Sequence, residues 1–307
     1  MTIQKWLLLL YPRVWRTHYE EEFLVTLSSH PFSLSEGMDV MLGALDAHLH
    51  PSLGTATLPL PEKIGHMMAA MRRSLVALFC AYSGFLLAGM AFQKVTEDGA
   101  FQRAGQMVSF VGLSFQLVIF GAIAALLAMG AGGLPIVITV IRSALVRRQR
   151  DILFELSVPF LAFAVFFLIM RLLLALDHPG SQPNWYLLLS RSLFFSVLLA
   201  ATIISVGAVC RAVMRSEIPE KFLHFALLPA ILLTFSMALV LAAIIIWGLG
   251  LAAFAPQFFA GHHGLAGTST TGTWLGIVIA MSLAMGFATF SLLRGLAARS
   301  ALHGLAA

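Results

Sequence analysis

Six apolar runs, each about 20 residues or longer, occupy most of the chain between positions 74 and 293. They cover 74–92, 106–130, 154–176, 186–210, 223–250 and 274–293. About 20 apolar residues in a helix are enough to cross the ~30 Å of hydrocarbon in a bilayer. Within hydrocarbon an open segment must pair its own backbone N–H and C=O groups, and a helix does so. The pattern therefore predicts an all-α protein, a polytopic membrane helix bundle of six transmembrane helices with a short N-terminal amphipathic helical module.

Charge supports this class and excludes another. The chain is 59% hydrophobic and 11% charged, whereas soluble domains carry ~25% charged residues. Its formal net charge of +5 would suggest nucleic acid if it were concentrated in a soluble part. Residues 1–73, however, set Lys5, Arg13, Arg16, Lys63, Arg72 and Arg73 against Glu20, Glu21, Glu22, Glu36, Asp39, Asp46 and Glu62. No nucleic-acid partner is expected, and the lipid bilayer is the main one.

The basic residues instead set topology. Arg72 and Arg73 precede the first run; Arg142, Arg147, Arg148 and Arg150 follow the second. Arg211, Arg215 and Lys221 follow the fourth, and Arg294 and Arg299 the sixth. Only Lys94 and Arg103 fall in loops on the other side. Lys and Arg accumulate in cytoplasmic loops, so Arg72, Arg73, Arg147, Arg148 and Arg150 are topology anchors and both termini are expected in the cytoplasm. Trp185, Tyr186, Trp247 and Trp274 then fall near the outer interface, where aromatic belts form. Residues 131–145 are apolar but interrupted by Gly132, Gly133 and Pro135. They read as a kinked cytoplasmic extension of the second span or as a short re-entrant piece. The extension is the expectation, because Arg142 to Arg150 belong at a surface.

Ahead of the spans, residues 1–50 read as two short amphipathic helices. Trp6 to Leu10 is too short to span and is followed by Pro12 and Arg13, without the small-residue site of a cleaved signal peptide. From Pro12 onward, Trp15, Tyr19, Phe23 and Leu27 recur every four residues and form one apolar face, a candidate partner-docking face. Ser33-Leu34-Ser35-Glu36 is a capping-box pattern that opens a second helix with a stripe of Leu34, Met38, Met41, Leu42, Leu45 and Leu49. Residues 51–73 read as a linker and basic membrane-entry segment, 74–293 as the bundle, and 294–307 as a cytoplasmic tail.

The stretch Leu10-Tyr11-Pro12-Arg13-Val14-Trp15-Arg16-Thr17-His18-Tyr19-Glu20-Glu21-Glu22-Phe23-Leu24 resembles the "LYPRxxRxxYGEEM" element. That element heads many bacterial multi-pass membrane proteins, including the prefix segment of some ABC-transporter permeases. The chain departs from it at Glu21 and Phe23 and has no large extracytoplasmic insertion between spans. The resemblance implies a bacterial plasma-membrane protein with this prefix; it does not carry over a transport activity.

Few residues invite chemistry. Arg171, Asp177 and Arg191 lie near the outer ends of the third and fourth runs. Ionisable residues at membrane depth are expensive and often functional, so the three form a candidate polar membrane site. The alternative is that both arginines snorkel to the headgroups. Glu155 reads as an interfacial charge near Arg150. Asp46, His48 and His50, and the pair His262-His263, lack the spacing of a metal site, and residues 261–273 read as a flexible loop. Pro159 and Pro229 are expected inside spans, and Gly121/Ala125 and Ala124/Ala128 mark close helix packing. Cys80 and Cys210 each fall inside an apolar run and read as packing residues. Phosphate-binding, nucleophile-elbow and zinc-protease motifs are missing, and no cofactor or metal is expected. The spans carry no central Asp or Glu, which argues against a proton- or cation-coupled carrier. The leading expectation is a non-enzymatic membrane-anchored regulatory or interaction protein that docks a cytoplasmic partner through residues 1–50. A permease-like transport component comes second, and a lipid-modifying enzyme using Arg171, Asp177 and Arg191 last.

Overall fold

The computed structural model describes residues 8–28, 34–50, 59–97, 101, 105, 108–176, 184–261, 264–265 and 268–306. Among them there is no strand. Two short helices, α1 (Arg13–Ser28) and α2 (Leu34–Leu49), precede α3 (Leu60–Thr96), α4 (Ser109–Val146), α5 (Arg150–Leu176), α6 (Asn184–Arg215) and α7 (Glu220–Phe254). A single turn, α8 (Pro256–Phe259), leads to α9 (Thr270–Ala306). Six of the helices are long and apolar enough to cross a membrane. The chain is a multi-pass membrane helix bundle with an amphipathic helical module at its start.

Several helices outrun their apolar cores. Residues 60–73, expected as linker and entry segment, are the first turns of α3. Pro61 and Glu62 sit in its first turn, where proline lacks only an N–H that would be unpaired anyway and a carboxylate meets the positive end of the helix dipole. Residues 294–306, expected as a tail, continue α9. Residues 131–145 lie within α4, which runs unbroken past Pro135 for 38 residues, ~57 Å at 1.5 Å per residue. They extend the second span, as expected. Asp177, Ser33, the Trp6–Leu7 pair, residues 51–58 of the linker and His262-His263 lie outside the described residues.

The chain divides into two compact units, one of Met1–Leu75 with Phe290–Ala307 and one of Val76–Thr289. In the second unit α4 and α7 run antiparallel in constant register, with small residues where they meet. A Cβ on Gly121 would stand 2.6 Å from Val240 Cγ2, one on Gly132 3.2 Å from the Pro229 ring, and one on Gly250 3.3 Å from Val111. These approaches recur every ten or eleven residues, three helical turns, so the same face is presented throughout. Lipid chains are as apolar as leucine, so close backbone approach with its dispersion contacts is what holds such a pair. Half of the apolar window of α7 is buried against 11% for α5, which makes α7 the central helix. α5 and α6 pack mainly on each other, around Phe166, Leu198 and Ala201 with Leu87 of α3 against them.

The α4–α5 turn is tight. Arg148 has φ 54°, the left-handed conformation that usually takes glycine. Its N–H donates to Leu145 O (3.3 Å) and that of Gln149 to Ala144 O (2.9 Å), the paired bonds that end a helix on a left-handed residue.

Candidate functional site

In the first unit, α1 and α2 meet through aromatic rings on small residues. Tyr11 stacks on Trp15 (centroids 4.1 Å, interplanar 27°) and meets Phe23 edge-on at 5.3 Å. Trp15 meets Phe23 at 87° and Tyr19 at 5.2 Å. Beneath them lie Val40, Ala44 and Ala47 of α2, one helix face at i, i+4 and i+7. The buried Tyr11 hydroxyl donates to Val40 O (3.1 Å), and His48 Nε2 donates to Leu10 O (2.8 Å). Burial pushes the Tyr11 phenol above its usual pKa, so it stays a donor. Asp46 and His50 pair with each other at 2.9 Å, while the His48 ring is turned to the Leu10 carbonyl. Among the described residues no three His, Cys, Asp or Glu side chains gather as metal ligands.

The sequence stripe on α2 left open whether it packs on α1, on the membrane surface or on cytoplasmic loops, and this packing places the alanine side against α1. Met38 (63% exposed), Met41 (58%) and Leu45 (48%) face outward. The flat rings of α1 need a flat floor, which alanines and Gly43 provide. A Cβ on Gly43 would stand 2.6 Å from the Tyr11 hydroxyl. Of the predicted docking face, Trp15 and Phe23 are turned inward and Tyr19 stays exposed; the Leu27 side chain lies outside the described residues. No local signal separates the two faces of α2, because both are apolar.

These contacts predict a non-additive pair of substitutions. Tyr11→Phe should remove a buried hydrogen bond, ~1 kcal/mol, and speed proteolytic cleavage of the module roughly fivefold. Gly43→Ala should cost at least as much alone. In the Tyr11→Phe background it should add almost nothing, because the atom it meets is gone. Additive cleavage rates would refute the contact.

In the second unit, the turns after α4 and α6 carry charge at one end of the bundle. Arg147 Nη2 donates to Glu217 Oε2 (2.7 Å) and Arg215 Nη1 to Glu155 Oε1 (2.6 Å). The Arg147 guanidinium holds the fully exposed Glu217 carboxyl below its usual pKa. The pair is therefore intact above the ordinary Glu range and is lost as pH falls through the lowered pKa. Glu155, expected beside Arg150, reaches across to α6 instead. Only 14% of its side chain is exposed, and its Oε2 has no hydrogen-bond partner among the described residues. The anchors Arg147, Arg148 and Arg150 are exposed at this end. Arg72 and Arg73 lie in the first unit, within α3.

Trp247 and Trp274 were expected in an interfacial belt. Trp247 is instead 2% exposed, edge-on to Phe92 at 5.0 Å and beside Phe101. Its place near the end of an apolar run fixed its depth but not which way it faces. Trp274 is half-buried, and its indole N–H donates to Ile244 O (3.0 Å) over Gly248. The side chains of Trp185 and Tyr186 lie outside the described residues. The loop from α8 to α9, read as flexible, is closed by hydroxyls. Thr271 Oγ1 donates to Phe259 O (2.7 Å) and Thr270 Oγ1 to Gly261 O (3.1 Å), bonds that Ser and Thr make readily to nearby carbonyls.

Of the proposed polar membrane site, Arg171 is exposed on α5, while Asp177 and the Arg191 side chain lie outside the described residues. The structure brings together two residues read as separate packing groups. Cys80 Sγ of α3 and Cys210 Sγ of α6 lie 3.4 Å apart. Their separation of 130 positions leaves no local signal for this contact. No protein-family model, curated protein or solved structure matches the chain.

Proposed function

We propose that this chain is a bacterial plasma-membrane protein with both termini in the cytoplasm, and that it is a non-enzymatic regulatory or interaction protein. Its N-terminal module docks a cytoplasmic protein through Met38, Met41 and Leu45. The observation that carries this reading is the outward apolar stripe on α2, left over after α1 has covered the opposite face. Positions i, i+3 and i+7 form the row that helix-in-groove recognition uses, and methionine adapts its shape to a partner.

Charge selects the occupant. Residues 13–50 carry Arg13 and Arg16 against Glu20, Glu21, Glu22, Glu36, Asp39 and Asp46. An acidic module is repelled by the anionic inner leaflet, which attracts basic segments. The same charges attract a protein with a basic, amphipathic binding segment. The orientation is supported by the excess of Lys and Arg in the connections after α4 and α6.

A photo-crosslinker at Met41 in living cells tests the reading. The expected result is one discrete protein adduct. It should disappear when Met38 and Leu45 are changed to serine, and its partner should fail to co-purify after deletion of residues 1–50. Crosslinking to lipid alone, or an adduct indifferent to the serine substitutions, would overturn it.

A further inference from the structure

The chain has two cysteines, and they touch. Cys80 lies on α3, seven residues or ~10 Å of helix rise beyond Arg73. Cys210 lies on α6, immediately before the exposed Arg211. One sulfur enters the apolar run early and the other leaves it late, so antiparallel helices put them at the same depth, just inside the polar margin. Both belong to the unit Val76–Thr289. Cys80 is exposed on the bundle surface and Cys210 partly so. Leu87, seven residues on from Cys80, packs against Phe166, Leu198 and Ala201 of the α5–α6 pair. The same side of α3 thus touches the pair at two heights.

We propose that Cys80 and Cys210 form a reversible dithiol–disulfide site oxidised by a quinone dissolved in the bilayer. Two sulfurs 3.4 Å apart need to approach by little more than 1 Å to reach the ~2.05 Å bond length. Both S–H bonds break and one S–S bond forms. Two electrons and two protons pass to the quinone, which leaves as the quinol. A lipid-soluble two-electron oxidant suits a thiol exposed on the apolar surface of a bundle, and its ring carries oxygens suited to the polar margin. The thiols are the resting form wherever glutathione and thioredoxin reach them. Oxidation ties α3 covalently to the α5–α6 pair, the least buried part of the bundle. This site is independent of the stripe on α2.

The test uses the full chain in lipid nanodiscs, without oxygen, with decylubiquinone. Its ring is fully substituted, so it oxidises thiols without alkylating them. The expected result is one quinol formed per chain and loss of both maleimide-reactive thiols. The protein should keep its monomeric mobility on a denaturing gel and regain both thiols with dithiothreitol. Cys80→Ser and Cys210→Ser should each form no quinol and keep the remaining thiol; the alanine versions check that serine has not disturbed the fold. If diamide also leaves both thiols free, the sulfurs do not meet and the site is overturned. Closure by diamide but not by the quinone, or a covalent dimer in place of an internal bond, overturns it equally.

Discussion

Gly248→Ala is expected to unseat α9 from α7. The added Cβ would overlap Nε1 and Cε2 of Trp274, lying closer than any two such atoms approach. An indole ring is rigid, so the helices rather than the side chain must give. Overpacking of this kind costs ~1–3 kcal/mol, and here it also breaks the 3.0 Å bond from Trp274 to the Ile244 carbonyl. Thermal unfolding in mild detergent, followed by loss of the monodisperse peak in size exclusion, should show Tm lowered by several degrees. Trp274→Phe separates the two effects. It removes the N–H and keeps most of the ring, and interhelical hydrogen bonds in membranes average ~0.6 kcal/mol. It should therefore be the milder variant, and Gly248→Ala should be less harmful in its background. An unchanged Tm in Gly248→Ala would show that the indole does not sit over this position.

Gly121→Ala should be comparably disruptive where α4 meets α7. Its Cβ would lie 2.6 Å from Val240 Cγ2 and 3.6 Å from the Ser236 carbonyl oxygen, so α4 would have to move away along the whole pair. A cost of ~1–3 kcal/mol follows. Val240→Ala removes the methyl that is struck, and the double variant should recover most of the lost Tm. If Val240→Ala worsens the variant instead, the two positions do not face each other. Gly84 and Gly276 have nothing within 4 Å of an added Cβ, and alanine at either should leave Tm unchanged.

The six spans were legible because hydrocarbon length and backbone pairing leave apolar runs of ~20 residues few alternatives. The same argument does not locate helix ends. Residues 60–73 and 294–306 are polar enough to read as linker and tail, yet nothing in them stops a helix, and Pro61 starts one. Facing was the second gap. Trp247 and Trp274 occupy similar sequence settings, yet one is buried in a ring cluster and the other half-buried over a glycine. On α2, the choice between the methionine side and the alanine side depends on the rings of α1, which no period within α2 can reveal. The Cys80–Cys210 contact is tertiary altogether. Arg171 is exposed on α5, and the Asp177 and Arg191 side chains read with it in the sequence lie outside the described residues.

The indole of Trp274 occupies a notch that exists at one height on α7, where residue 248 has no side chain. One turn away stands Ile244, fully enclosed. A slide by a helical turn, ~5.4 Å, would drive the ring into that branched side chain. The ring over Gly248 therefore acts as a stop against a slide of the last helix in that direction.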